Sequence, residues 1–366
     1  MVEMKDNQSF AVIIIGGGPA GIAAGLTLNS RNVSTVIVEA NQDINKKLGE
    51  CIPPNAYPLF QKIGLDALLT NEKHHIYYGN KSAWGNNLLQ EKIFLFEKHH
   101  KGILLNRDFF ENQMRDVSKQ NQMNWLMGYT LHTIEKEETI TRVVLKSKTD
   151  TITLFCSYII DATGRKASVC RKIGIEKKEL DQLASLNFKY KIKKPIPFFV
   201  YTASFEKGWI YVSPSEEDSV TVMIFTDLDL IPSKNEEKDF ILDIINNSQL
   251  AEEVFQSTLI YEDIYDLKTR VANTTYLDKP FGENWVAIGD AAYSFDPLSS
   301  YGITSALAAG YYGGHALANT ILKEEEALDV YQYIMENAFN NYKIQLQEQY
   351  TLENRWINSI FWKRRV

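Results

Sequence analysis

Residues 16–21 read Gly16-Gly17-Gly18-Pro19-Ala20-Gly21 and follow the apolar run 10–15 directly. Gly16 permits a tight turn off a strand. Gly18 lacks a Cβ, so backbone can approach a pyrophosphate, and Gly21 lets a helix pack closely on the sheet. The amides at the N-terminus of a helix opened by Pro19 and Ala20 then face the phosphates. Glu39 closes the next apolar run, 18 residues beyond Gly21, where a carboxylate accepts from ribose hydroxyls. Glycine spacing alone is a weak signal. A strand before it, a helix after it and an acid at the right distance make a nucleotide site the stronger reading. These residues by themselves suit NAD as well as FAD.

Two more segments carry chemistry-bearing residues. Gly289-Asp290-Ala291-Ala292 follows the apolar run 285–289 and leads into Asp296-Pro297-Leu298-Ser299-Ser300-Tyr301-Gly302-Ile303. A helix opening at Gly302, Ile303 and Thr304 presents partial positive charge at its start. Gly302, Ser305, Ala306, Ala309, Gly310 and Gly313 share one face of that helix, which predicts close packing on a sheet. Asp161-Ala162-Thr163-Gly164-Arg165 follows a buried strand at 157–161.

The bulk of the chain bounds what these motifs can serve. Its 366 residues are too many for one ordinary core and enough for two. A net charge of −7 argues against a nucleic-acid partner, which would need a basic face. The basic end Lys363-Arg364-Arg365 reads as a solvated helix tail. Cys51, Cys156 and Cys170 form no disulfide framework and fit a reducing, cytoplasmic setting. The pairs His74-His75 and His99-His100 lack metal-ligand spacing, so no metal is expected. The start MVEMKDNQSF has no basic stretch typical of a signal peptide, and no run of about 18 apolar residues exists, so no membrane partner is expected.

The elements that position the motifs follow from periodicity. Residues 10–15, 19–30 and 34–39 read as strand, helix, strand, one βαβ unit. A short helix should end at Gly64, and another should cover 107–119. Segments 139–147 and 150–160 alternate like a hairpin. Residues 183–226, rich in Phe, Tyr, Val and Ile, read as an antiparallel sheet, and 235–247 return to helical spacing. Helices are expected from about 301 to 321 and over the last forty residues. The fold class is therefore α/β + β: a Rossmann-like domain with an inserted antiparallel-sheet substrate domain and C-terminal helices. The expected division is 1–75, 101–180 and 270–322 for the nucleotide domain, 76–100 and 181–269 for the substrate domain, and 323–366 for a C-terminal helical segment.

With Gly289-Asp290 and the Asp296–Gly302 stretch beside the glycine turn, the chain resembles the FAD-dependent aromatic hydroxylases and flavin-dependent halogenases, which share one fold. The resemblance implies that Asp290 binds the ribityl and pyrophosphate region of FAD. It also implies that the loop from Pro297 through Ser300 runs under the isoalloxazine, with Gly302, Ile303 and Thr304 aimed at N1 and O2. Reduced flavin is negative there, so the helix dipole favours it. Arg107 opens a helix where the family often places an FAD-contacting Arg; a surface Arg is the plain alternative. Lys47, in Lys-Leu-Gly-Glu, resembles a basic segment of the halogenase branch and is a second candidate contact.

The same resemblance bears on the reaction. A second glycine fingerprint and a CxxxxC pair are both missing, which sets aside disulfide-reductase-type enzymes. The implied reaction is hydroxylation of an electron-rich ring through a flavin C4a-hydroperoxide, with NAD(P)H or a separate flavin reductase as electron donor. Halogenation is the alternative. Trp209-Ile210-Tyr211-Val212-Ser213-Pro214 keeps only the first Trp and the Pro of the halogenase motif, and Lys81 stands outside the usual setting of the halogenase lysine. A double-bond reductase of isoprenoid type is a further alternative. The segments Gly49-Glu50-Cys51-Ile52-Pro53-Pro54, Ser82-Ala83-Trp84-Gly85 and Gly208-Trp209-Ile210-Tyr211 resemble a closer branch, the maturases that oxygenate a Trp side chain during biogenesis of cysteine-tryptophylquinone amine oxidases. The implied partner is an aromatic small molecule or a Trp-bearing polypeptide. Tyr77, Trp84, Tyr201 and Trp209 are candidate stacking residues, with sheet packing as the alternative for each. His75 is a candidate base and Lys81 a candidate catalytic cation; a structural His and a solvated Lys are the plain readings.

Overall fold

A computed structural model describes every residue except 1–5, 44–48, 50, 217 and 256–258. Strand β1 (Gln8–Ile15), helix α1 (Pro19–Ser30) and strand β2 (Thr35–Glu39) form the expected βαβ unit. The two strands run parallel, with Ile14 opposite Ile37. Pro19 pre-sets the first helical turn, and Ala20 to Gly25 are buried almost throughout. A helix apolar on all sides must be covered on all sides. Here the sheet covers one face and a late helix the other.

The first sheet has seven strands. Asn124–Met127, β2, β1, Thr151–Asp161, Ile140–Lys146 and Thr130–Glu137 lie in that order, and Trp285–Ala287 also pairs with Thr151–Asp161. The pairs nearest the glycine turn are all parallel: Ile15 lies opposite Asp161, and Asp161 opposite Ala287. The carboxyl ends of three strands far apart in sequence therefore stop at one edge, which is where open parallel sheets bind ligands.

Helix α2 (Tyr57–Ile63) ends on Gly64 in a left-handed conformation, and α3 (Arg107–Gln120) is capped by the Asn106 side chain, which accepts from the Phe109 N–H. The short helix α4 (Ser168–Lys172) follows the Asp161 loop.

The second sheet also has seven strands, in the order Ile264–Val271, Leu183–Lys191, Ser219–Asp227, Gly208–Glu216, Val200–Phe205, Gly79–Ala83 and Gln90–Ile93. It is not wholly antiparallel: Val200–Phe205 runs parallel to Gly79–Ala83. Residues 79–93 join the sheet from a different stretch of chain, so no tight hairpin dictates their direction. The central strand Ser219–Asp227 is buried on both faces, which explains its unbroken apolar run. Its outward face packs against α5 (Glu237–Asn246) through Val222, Ile224, Ile241 and Ile245. Its inward face carries Met223 and Phe225 and joins Trp84, Trp209, Tyr350 and Trp362 in another core cluster.

Helices α6 (Gly302–Ile321), α7 (Ala327–Thr351) and α8 (Ile360–Lys363) complete the chain. Two expectations change here. The small-residue face of α6 packs chiefly on α1 rather than on a sheet. A Cβ at Gly310 would lie 2.2 Å from the Ala20 carbonyl oxygen, and one at Gly314 would lie 3.0 Å from Thr27 Cβ. The basic C-terminus is not a solvated tail. Arg364 donates to Asp227 and Asp229, and Arg365 donates to Asp227. Asp227 is buried, so its charge requires cations at hand. Among the described residues no helix is long and apolar enough to cross a membrane.

Candidate functional site

The glycine turn closes under steric constraints that only glycine satisfies. Gly16 has φ +112°, and a Cβ there would meet the Ala162 carbonyl oxygen at 2.2 Å. A Cβ at Gly21 would meet the Gly16 oxygen at 2.0 Å. Gly18 is the extended N-cap of α1 and offers no side chain, and the first turn of α1 contains no acid. The positive end of α1 is thus left for an external anion. Glu39 is oriented over this turn. One carboxylate oxygen accepts from the Gly17 N–H at 2.8 Å, the other from the Asn41 N–H at 2.9 Å.

The other two motifs arrive at the same place. The Ala162 N–H donates to the Ile15 carbonyl at 2.8 Å, and the Ile288 N–H to the Asp161 carbonyl at 3.0 Å. Gly289, at φ +56°, approaches α1 so closely that a Cβ would lie 2.9 Å from Ala20 Cβ. Asp161 itself is spoken for. Its fully buried carboxylate accepts from the Thr163 N–H and hydroxyl and from the N–H groups of Val169 and Cys170, so it caps α4.

Asp290 is partly exposed beside this junction. Its carboxylate lies 3.6 Å from the Arg165 guanidinium, and Lys177 Nζ donates to its carbonyl at 2.5 Å. Burial, only partly offset by the nearby Asp290 charge, lowers the Lys177 ammonium to about 8. Lys177 had no sequence signal, because nothing local marks a lysine that is buried by distant chain.

Downstream, Asp296 begins a tight turn through Pro297 and Ser300, the latter in the left-handed region at φ +55°. Gly302 then opens α6 with no side-chain cap and no acid in its first turn. Ile303 is buried, and Thr304 Oγ1 is a buried hydroxyl with no hydrogen-bond partner in the structure. An uncapped helix start beside an unpaired hydroxyl is a ready receptor for an acceptor group.

Three glycine-bearing loops, drawn from residues 16, 162 and 289, thus meet at the start of one helix. The chain belongs to the FAD binding domain family. The family model FAD_binding_3, FAD binding domain, matches residues 9–338. FAD fits the residues present: an uncapped helix N-terminus for the pyrophosphate, Glu39 for ribose, Asp290 beside them and α6 with Thr304 further along. The chain is similar to LodB of Marinomonas mediterranea, provisionally named an FAD-dependent oxidoreductase, with 25% identity over 98% of this chain and 97% of that one. Among solved structures, the flavin-dependent halogenase CmlS matches with a TM-score of 0.86 at 19% identity, covering 99% of this chain and 68% of that one. QhpG, a peptidyl tryptophan dihydroxylase essential for tryptophylquinone cofactor biogenesis, matches with a TM-score of 0.79 at 20% identity, covering 98% and 78%.

The remaining sequence candidates separate into groups. Lys47 lies outside the described residues. Arg107 is largely buried; it pairs with Glu111 and donates to the Gly49 carbonyl at 2.6 Å. His75 is half-buried and stacks on Phe198 at 4.8 Å. Tyr77, Trp84 and Trp209 share the cluster on the inward face of the second sheet, with Leu298 of the Asp296–Ser300 turn packed against it. Tyr77 Oη contacts Cys51 Sγ, and burial with the neighbouring Cys51 pushes its hydroxyl far above the usual tyrosine range. Trp84 donates to the Gln349 carbonyl at 2.8 Å. Tyr201 packs in the other cluster, on the outward face with α5. Lys81 lies two residues before Ala83 of that outward cluster, so it shares that face. It is paired with Glu253 and with Glu91, at 3.5 Å in the latter case.

A cleft of about 590 Å³ opens elsewhere, between α6 and the start of α7. Glu324, Glu325 and Glu326 line it, an acidic mouth that repels a pyrophosphate. Among the described residues no group of three His, Cys, Asp or Glu converges as a metal site.

Proposed function

We propose that this FAD-dependent enzyme hydroxylates an indole-type ring, a tryptophan side chain carried on a partner polypeptide. Bound FAD supplies the redox and oxygen chemistry. The chain's own residues bind, orient and exclude water. The α1 N-terminus and Glu39 hold the nucleotide end. The α6 N-terminus and Thr304 receive the ring edge that becomes negative on reduction. We place the planar substrate ring beside the buried aromatic cluster of Tyr77, Trp84 and Trp209, on the inward side of the second sheet. His75, held against Phe198 at the border of that side, is the candidate base.

The observation that carries the choice of hydroxylation over halogenation is Lys81. A halogenase-type lysine must reach from the flavin side as a free amine. Lys81 sits on the outward sheet face, and its ammonium is engaged by two carboxylates. Burial alone would lower its pKa, but the Glu253 hydrogen bond and the charges of Glu253 and Glu91 raise it instead, which holds it as a cation. It therefore tethers strand to loop. The peptide-borne character of the substrate is supported by the similarity to a peptidyl tryptophan dihydroxylase.

The test uses the purified holoprotein, reduced by NAD(P)H or by an added flavin reductase under labelled oxygen, with a Trp-containing peptide. One labelled oxygen atom per product is expected, with or without bromide and chloride. A halogen mass shift, or turnover without oxygen, overturns the reading.

A further inference from the structure

The turn that delivers α6 to the flavin is held from a distance. Asp296 is 1% exposed, and its carboxylate has two partners on opposite sides. One oxygen accepts from the Leu298 N–H at 2.8 Å, inside the turn; the other accepts from the Tyr350 hydroxyl at 2.8 Å. Tyr350, near the end of α7, in turn accepts from Trp209 Nε1 at 3.1 Å. Trp209 belongs to the second sheet, where it stacks on Phe225 at 3.9 Å and packs edge-on against Trp84. A second tyrosine of α7 holds the same residue by its backbone: the Asp296 N–H donates to the Tyr342 hydroxyl at 2.7 Å.

The direction of each bond matters. Trp209 can only donate, so the Tyr350 oxygen accepts and its own proton points at Asp296. That arrangement is strongest with an ionised Asp296, whose two oxygens both accept. A proton on the carboxyl weakens it: on Oδ2 it competes with the Tyr350 proton, and on Oδ1 with the Leu298 N–H.

We propose that Tyr350 is a positioning residue: through Asp296 it sets the turn that feeds the α6 N-terminus, and through Trp209 it makes that setting depend on the aromatic face of the substrate sheet. The inference rests on the flavin reading of the α6 turn.

The charged and titratable groups around Asp296 give the arrangement a pH signature. Asp181 adds a like charge, Arg365 an opposite one, and Tyr342 and Tyr350 approach from α7. Arg165 donates to the Phe295 carbonyl next to it. Burial dominates and moves the Asp296 carboxyl up to about 6.

Two measurements test this. In the FAD-free chain, amide exchange over Leu298–Ser300, corrected for intrinsic rates, should become faster as pH falls through about 6. Tyr350→Phe should show the faster rate already at neutral pH, by about tenfold for one lost bond to a charged group. In the FAD-loaded protein, the flavin midpoint potential should change slope with pH near the same value. That inflection should move up by about one unit in Tyr350→Phe, move less in Trp209→Phe, and vanish in Asp296→Asn. Unchanged exchange and an unmoved inflection in a folded Tyr350→Phe protein overturn the inference. If Tyr350→Phe does not fold, the wild-type exchange profile decides alone, and a profile without inflection is equally fatal. Failure of the wild-type chain to take up FAD, with the exchange result intact, counts against the flavin reading and leaves the role of Tyr350 in setting the turn supported.

Discussion

Glu353 shows how a single buried carboxylate joins distant segments. It accepts from the Gly85 N–H at 2.8 Å, from the Ser204 hydroxyl at 2.5 Å and from Arg355 at 2.6 Å. Burial alone would raise its pKa, but those hydrogen bonds outweigh it and bring it down to about 2. A depressed carboxylate stabilises the fold fully above its ordinary value near 4.5, and that stability is lost as pH falls toward about 2. Glu353→Gln should therefore cost about 1–3 kcal/mol at neutral pH. It should also flatten the acid limb of the stability curve, read as Tm against pH. The glycine turn is less forgiving. Gly21→Ala places a Cβ 2.0 Å from the Gly16 backbone oxygen, in the tight turn just after β1. Loss of about 3 kcal/mol or more is expected, together with loss of bound flavin absorbance after purification.

Helix α6 does two jobs with its two faces. One face lies against α1, where Gly310 leaves room for the Ala20 carbonyl. Gly310→Leu should wedge the two helices apart, keep the far-ultraviolet helix signal and weaken FAD binding at least tenfold, measured by flavin fluorescence. The start of α6 does the other job. A Cβ at Gly302 has open space around it. Gly302→Asp should favour the helix by about 0.3–1 kcal/mol through the dipole. The same charge opposes the negative reduced ring, so the flavin midpoint potential should fall while Tm holds or rises. A rise in potential would show that α6 does not face the ring edge.

The molecule as a whole is closed by its last forty residues. Tyr331 donates to the Ala287 carbonyl at 2.9 Å, Tyr342 and Tyr350 grip Asp296, and Trp362 donates to the Phe205 carbonyl at 3.0 Å. Both sheets are thus tied to one C-terminal unit. A chain ending near residue 323 should lose cooperative thermal unfolding and its FAD, while a Lys81→Ala protein should keep both. Lys81→Ala should also keep turnover within a few fold, because its charge serves Glu91 and Glu253 on the outward face. Loss of turnover with FAD still bound would favour the halogenase reading over hydroxylation.

What was legible in the sequence was what is written in local spacing. The βαβ unit, the glycine turn with Glu39, the Gly289-Asp290 turn and the limits of α3, α5 and α6 each depend on residues close together in the chain. Steric limits at Gly16 and Gly21 act over a few ångströms, so residue type alone announces them. That the last forty residues are helical was equally legible, but not which of their side chains would meet the rest of the molecule. Only the tertiary structure decided that Tyr342 and Tyr350 meet Asp296, that Lys177 lies beside Asp290, and that Lys81 and Tyr201 share the face opposite Trp209. Those outcomes depend on strand order, on a parallel pairing in the second sheet and on the return of the C-terminal helices. A hydrogen bond or a buried charge is satisfied by whichever group the fold brings within about 3 Å, and sequence distance carries no record of that.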